Sequence, residues 1–149
     1  MATTVGTESD LKSLVEDLIK LDFAAIDAYD AAITRLSSPE FKRQLGDFRD
    51  DHTEHTRVLG AWMRQQGDTP PDGGGAKQLL TSGKVVLAGL AGDKQILQAM
   101  KTNEDDTNTA YERAVGHKDA SGDLHATLQR ALEDERRHRA WMVETIEML

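Results

Sequence analysis

Residues 50–57 read DDHTEHTR and set His52 and His55 three apart in a helical stretch. On a helix, positions three or four apart share a face. The residues around the pair keep that rhythm: Phe41, Leu45, Phe48, His52, His55, Leu59 and Trp62 alternate in steps of four and three. Two imidazoles thus interrupt an apolar seam of the kind that faces partner helices in a bundle. Near the other end of the chain, EDERRHRA at 133–140 repeats the pattern, with Glu135 three residues before His138.

Outward from this seam, the start and stop signals divide the chain into four helices. The first is expected from Thr7 or Ser9, where TESD resembles a capping box, to about Leu36. SSPE at 37–40 stops it and starts the second: Ser38 suits the cap, Pro39 the first helical position and Glu40 the positive end of the dipole. That helix runs to about Gln66 and ends at Gly67, before the break GDTPPDGGG at 67–75. Residues 76–92 read as a short helix or an irregular packing segment. Asp93 suits the cap of a third helix reaching Val115, and Ser121 that of a fourth reaching the C-terminus.

Each remaining helix carries its own seam. Helix 1 has Leu11, Val15, Leu18, Asp22, Ala25, Tyr29, Ala32 and Leu36; helix 3 has Leu97, Met100, Glu104, Thr107, Tyr111 and Ala114. Helix 4 has Leu124, Leu128, Ala131, Glu135, His138, Met142, Thr145 and Leu149. Short loops near 37 and 118 make antiparallel hairpins of helices 1–2 and 3–4. The connection at 67–92 is longer than the ~12 extended residues needed to retrace a helix of ~42 Å. The fold class expected is therefore all-α: a four-helix bundle of two antiparallel hairpins joined by a long crossover, one domain over residues 1–149.

Bulk properties narrow the function. The 149 residues carry a formal net charge of −8, which disfavours nucleic acid or an anionic membrane as partner. There is no cysteine, so disulfides, iron–sulfur clusters and thiol nucleophiles are excluded. No secretory signal is visible, VVLAGLAG at 85–92 is too short to span a bilayer, and a cytoplasmic location is expected. The glycine-rich break is no phosphate loop, because no Gly-Lys-Ser/Thr follows it.

The two hairpins also repeat each other. Ala28-Tyr29-Asp30 matches Ala110-Tyr111-Glu112 at an offset of 82, which sets Asp22 on Glu104. Leu45 matches Leu128 at 83, which sets His52 on Glu135 and His55 on His138. The polar interruptions of all four seams thus hold equivalent positions, and antiparallel hairpins bring them to similar depth. A buried carboxylate costs several kcal/mol unless it is paired or metal-bound. Carboxylates and imidazoles converging there are a ligand set for iron, manganese or zinc rather than calcium. Asp50, Asp51, Glu54 and Arg57, with Glu133, Asp134, Arg136, Arg137 and Arg139, read as solvated flanks, and Glu133–Arg137 and Glu135–Arg139 have pairing distance on a helix. Trp62, Trp141, Met63 and Met142 read as packing; His117 and His125 receive no role.

A carboxylate from helix 1, X-x-x-His from helix 2, a carboxylate from helix 3 and Glu-x-x-His from helix 4 resemble the di-metal pattern of the ferritin-like superfamily. Within it, AGDKQILQAMKTNEDDTNTAYERAV at 91–115 looks like the third helix of a small uncharacterised bacterial branch of stand-alone bundles, sometimes encoded with stress-response genes. The resemblance implies metal ligation by Asp22, His52, His55, Glu104, Glu135 and His138, with Tyr29 and Tyr111 bonding and orienting the carboxylates opposite. His52 stands where the superfamily places a bridging glutamate, so three carboxylates and three histidines replace four and two. A single ion, an asymmetric pair or a zinc-filled site then competes with a symmetric di-iron centre. The function implied is an iron-dependent oxidase or peroxidase acting with oxygen or peroxide in metal or oxidative-stress handling, with a homo-oligomer allowed. The competing expectation is a non-enzymatic, stress-associated structural or interaction bundle with an inert zinc or a metal-free polar core.

Overall fold

A computed structural model of the chain describes residues 3–73 and 89–149. They form four α-helices and no strand: α1 Leu11–Arg35, α2 Pro39–Gln65, α3 Asp93–Val115 and α4 Gly122–Glu147. Most of the segment expected at 76–92 lies outside the described residues, and with it the course of the connection from α2 to α3. No described helix is long and apolar enough to cross a membrane.

The helix starts follow local chemistry, with two departures from the sequence expectation. α1 begins one or more residues late: Asp10 is its cap and accepts a hydrogen bond from Ser13 N at 2.9 Å. Thr7 and Glu8 are engaged in the preceding turn instead, the Thr7 hydroxyl donating to Thr4 O and the Glu8 carboxylate accepting from Gly6 N. That turn is pinned to α3 by Arg113, whose guanidinium donates to Thr3 O and Val5 O. Gly6 (φ 101°) packs so closely against Arg113 that a Cβ would collide with it. α2 starts as expected, with Ser38 Oγ accepting from Phe41 N at 3.2 Å and Pro39 at the first position.

Asp93 does not cap its own helix. Gly92 (φ 98°) occupies the cap position, and the Asp93 carboxylate accepts from Ser37 N at 2.7 Å and Ser38 N at 3.0 Å. The start of α3 is thereby tied to the α1–α2 turn. Ser121 precedes α4 without a side-chain cap bond.

α1 lies along α2, α3 along α4, and α1 along α3, whereas α2 and α4 touch sparingly. The seams face inward, with Leu18, Leu45, Leu97 and Leu128 fully enclosed. The buried face is wider than a single seam: Leu14, Leu21, Ile96 and Ala28 join it. Leu11, Phe41 and Trp62 are only partly buried, and Leu149 is exposed because α4 ends at Glu147 and its seam effectively stops at Thr145. Apolar layers thus bracket a polar layer at mid-helix.

Candidate metal centre

That polar layer holds all six candidate ligands. Asp22, His52, Glu104, Glu135 and His138 are at most 1% exposed, and His55 is 6% exposed. They fall into two overlapping groups, Asp22–His52–His55–Glu135 and His52–Glu104–Glu135–His138, each with one donor atom per residue within 4.8 Å of the others. His52 and Glu135 belong to both. These groups can hold a metal ion, since three or four N/O donors at that spacing need only small side-chain adjustments to close on one.

The two halves bind each other reciprocally. The Tyr29 hydroxyl of α1 donates to Glu104 of α3, and the Tyr111 hydroxyl of α3 donates to Asp22 of α1. Burial and the adjacent carboxylate charges hold both phenols protonated, well above the usual tyrosine range. His55 of α2 donates Nε2–H to Asp134 of α4 at 2.9 Å, and His138 of α4 donates Nε2–H to Asp51 of α2 at 2.8 Å. Both rings therefore turn Nδ1 inward: that of His55 lies 3.3 Å from Asp22 and 3.4 Å from Glu135, that of His138 3.6 Å from Glu104 and 3.8 Å from Glu135. A carboxylate behind an inward-facing imidazole fixes ring orientation and raises its basicity, the arrangement that supports histidine as a metal ligand.

Asp51 and Asp134 are not solvated flanks, then; each reaches across the bundle to a histidine. Arg137 joins them, donating to Asp51 at 2.8 Å and Asp134 at 3.0 Å rather than pairing with Glu133. Arg139 bonds Asp105 at 2.7 Å, so it does not compete for Glu135. The 83-residue offset already contained this signal, because it sets Asp51 on Asp134 just as it sets His55 on His138. His117 serves the N-terminal turn, donating to Glu8 O at 3.1 Å.

His52 sits between the two groups, with Nδ1 2.7 Å from Asp22 and Nε2 3.5 Å from Glu104. Burial disfavours its charge, but the field of Glu135 and the bonds to Asp22 and Glu104 outweigh that and raise its pKa to about 9. For His138, burial is likewise outweighed, by Asp51, Glu104 and Glu135, and the pKa rises to about 11; His55 is also raised, through Asp134 and Asp22. Conversely, burial pushes Asp22 and Glu104 upward, yet bonds from the histidines hold both below the ordinary carboxylate range. The metal-free layer is an alternating array of carboxylates and imidazolium rings.

That array leaves donors unused. Among the described residues, the buried side-chain polar atoms lacking a hydrogen-bond partner are both Glu135 oxygens, His138 Nδ1 and Asn103 Oδ1. Three of these four converge on the cluster. A buried carboxylate with neither oxygen bonded is costly, and a cation between Glu135 and the inward Nδ1 atoms satisfies all three at once. The residues fit a metal ion.

The described residues thus form four helices, with no strand, that surround a buried carboxylate–imidazole cluster able to hold a metal. The chain belongs to the family described as Domain of unknown function (DUF2383), which matches residues 10–117. The matched stretch carries Asp22, His52, His55 and Glu104 together with both tyrosines; Asp134, Glu135 and His138 lie beyond it on α4. No curated protein and no solved structure matches the chain.

Proposed function

We propose that this protein is a ferritin-like metal protein, its two hairpins joined by a crossover along the bundle and one or two iron ions held in the polar layer. The observation that carries the reading is the pair of unbonded, fully buried Glu135 oxygens beside the inward Nδ1 atoms of His55 and His138. Asp22, His52 and His55 would complete one position, Glu104, His52 and His138 the other, with Glu135 common to both. Bound iron would supply electrons to oxygen or peroxide, making the protein an oxidase or peroxidase in metal or oxidative-stress handling. The chain's own contribution is to keep Asp22 and Glu104 anionic and aimed through Tyr111 and Tyr29. Asp134 and Asp51 hold the Nε2 protons of His55 and His138, so that each Nδ1 would ligate on giving up its own proton.

The test is metal analysis of the purified protein, then anaerobic addition of ferrous iron and absorbance on exposure to oxygen or peroxide. Bound iron and an oxidation signal, both lost when Glu135 and His138 become alanine, are expected. Absence of metal binding would sink the reading. His52 favours a second one: as a cation between Asp22 and Glu104 it fills space that a second ion needs. On that reading the bundle is non-enzymatic, structural or interactive, with an inert zinc or none, and zinc binds tightly with no oxidation signal.

A further inference from the structure

The polar positions of the two halves obey the repeat, as do Tyr29 and Tyr111; the aromatic residues of α2 and α4 do not. At the 83-residue offset, Phe41, Phe48 and Trp141 correspond to Leu124, Ala131 and Val58. On the His138 side the aromatic trio forms a plug. The Phe48 ring lies 4.2 Å from the His138 ring, Trp141 meets Phe48 edge-on at 5.6 Å, and Phe41 meets Trp141 at 5.7 Å. Arg137 lies over Phe48 at 5.9 Å, and His138 is fully enclosed.

On the His55 side the small residues leave that space open. A cleft of about 520 Å³ runs between α2 and α4, where those helices touch sparingly, and His55, Val58, Ala131 and Asp134 are among its walls. His55 keeps 6% of its surface in contact with solvent there. His55 is a wall of the cleft, and its Nδ1 lies 3.4 Å from Glu135 Oε1, an oxygen with no hydrogen-bond partner. The half-buried Asp134 carboxylate, bonded to His55 Nε2, supplies an anionic oxygen on the way in. A second cleft, between α3 and α4, does not lead to the layer. None of the six candidate ligands is among its walls; Asn108, which is, donates to Glu104 O at 2.7 Å and Glu135 O at 3.0 Å, and Arg139 bonds Asp105 at its edge.

We propose that the cleft beside His55 is the port through which a hydrated divalent cation reaches and leaves the polar layer, held open by the small residues Ala131 and Val58. The inference rests on the metal reading above and adds a sidedness to it: the Asp22–His55 position loads first, and the Glu104–His138 position is reached from within.

Filling the port should change rates and not affinity, because neither Ala131 nor Val58 supplies a donor atom. The experiment follows Co(II) alone by its visible absorption in stopped flow, with release into excess chelator, for wild type, Ala131→Phe and Val58→Trp. Each variant installs the residue that the other half carries at the same position. Val58 is only partly buried, so its variant is folded even if Ala131→Phe is not. Expected is loading and release each slowed about tenfold or more at an equilibrium affinity changed less than about twofold. Wild-type rates in Val58→Trp, and in Ala131→Phe where it folds, overturn the port while leaving the metal reading intact. Failure of the wild-type protein to bind Co(II) overturns the metal reading, and the port with it.

Discussion

His55 and His138 each owe their orientation to a carboxylate on the opposite helix of the α2–α4 pair, so the most informative substitutions lie one step behind the proposed ligands. Asp134→Asn and Asp51→Asn keep the shape of the side chain and weaken the bond to Nε2. Each is expected to lower metal affinity about 10- to 100-fold, measured by competition with a chromophoric chelator; an unchanged affinity in both would return them to the role of solvated flanks. Tyr29→Phe removes the donor to the Glu104 carboxylate in a fully buried setting. It is expected to destabilise the metal-free protein by about 1.5–3 kcal/mol in urea unfolding, the usual worth of a hydrogen bond to a charged group. The six inward residues were legible in the sequence because each breaks an apolar seam. Asp51 and Asp134 were harder to see: they lie off the seams among exposed charges such as Asp50 and Glu133, and the 83-residue offset pairs them without showing that each reaches a histidine.

At the scale of the helices, the boundaries of α2 follow directly from SSPE and Gly67, since caps, proline and glycine act through local backbone geometry. What local reading misses is a side chain that spends its capping potential elsewhere. Asp93 suits a cap by position, yet its oxygens satisfy Ser37 N and Ser38 N at the start of α2. Asp93→Ala is therefore expected to act on the α1–α2 turn, with a cost of about 1 kcal/mol similar to that of Ser38→Ala. Because both changes strip acceptors from backbone N–H groups at one turn, the double variant should cost less than the sum. Additive losses in a double-mutant cycle would count against the tie between α3 and that turn.

For the whole molecule, the charged layer is expected to make stability and the proposed metal binding depend on pH in opposite directions. His52 and His138 hold protons up to about pH 9 and 11 in the folded metal-free protein, against about 6.5 for an unfolded histidine. Their contribution is complete below about pH 6.5 and is lost as pH rises through 9 and then 11. Asp51, held down to about 2, contributes fully above about pH 4 and loses its share as pH falls through 2. Metal ligation needs neutral imidazoles and so expels these protons. Between about pH 6 and 9 the urea midpoint of the metal-free protein should fall while metal affinity rises and the two forms diverge. Parallel midpoints, with and without metal, would count against ligation by these rings. The reciprocal bonds Tyr29–Glu104 and Tyr111–Asp22 have one more consequence. The molecule contains its own control experiment. The Tyr–carboxylate and His–Asp bonds of one hairpin each have a twin in the other, acting on the same kind of bond. Equal effects from Tyr29→Phe and Tyr111→Phe would show that the halves share the load evenly. Any inequality would measure, within one chain, what it means to carry His52 where the other half carries Glu135.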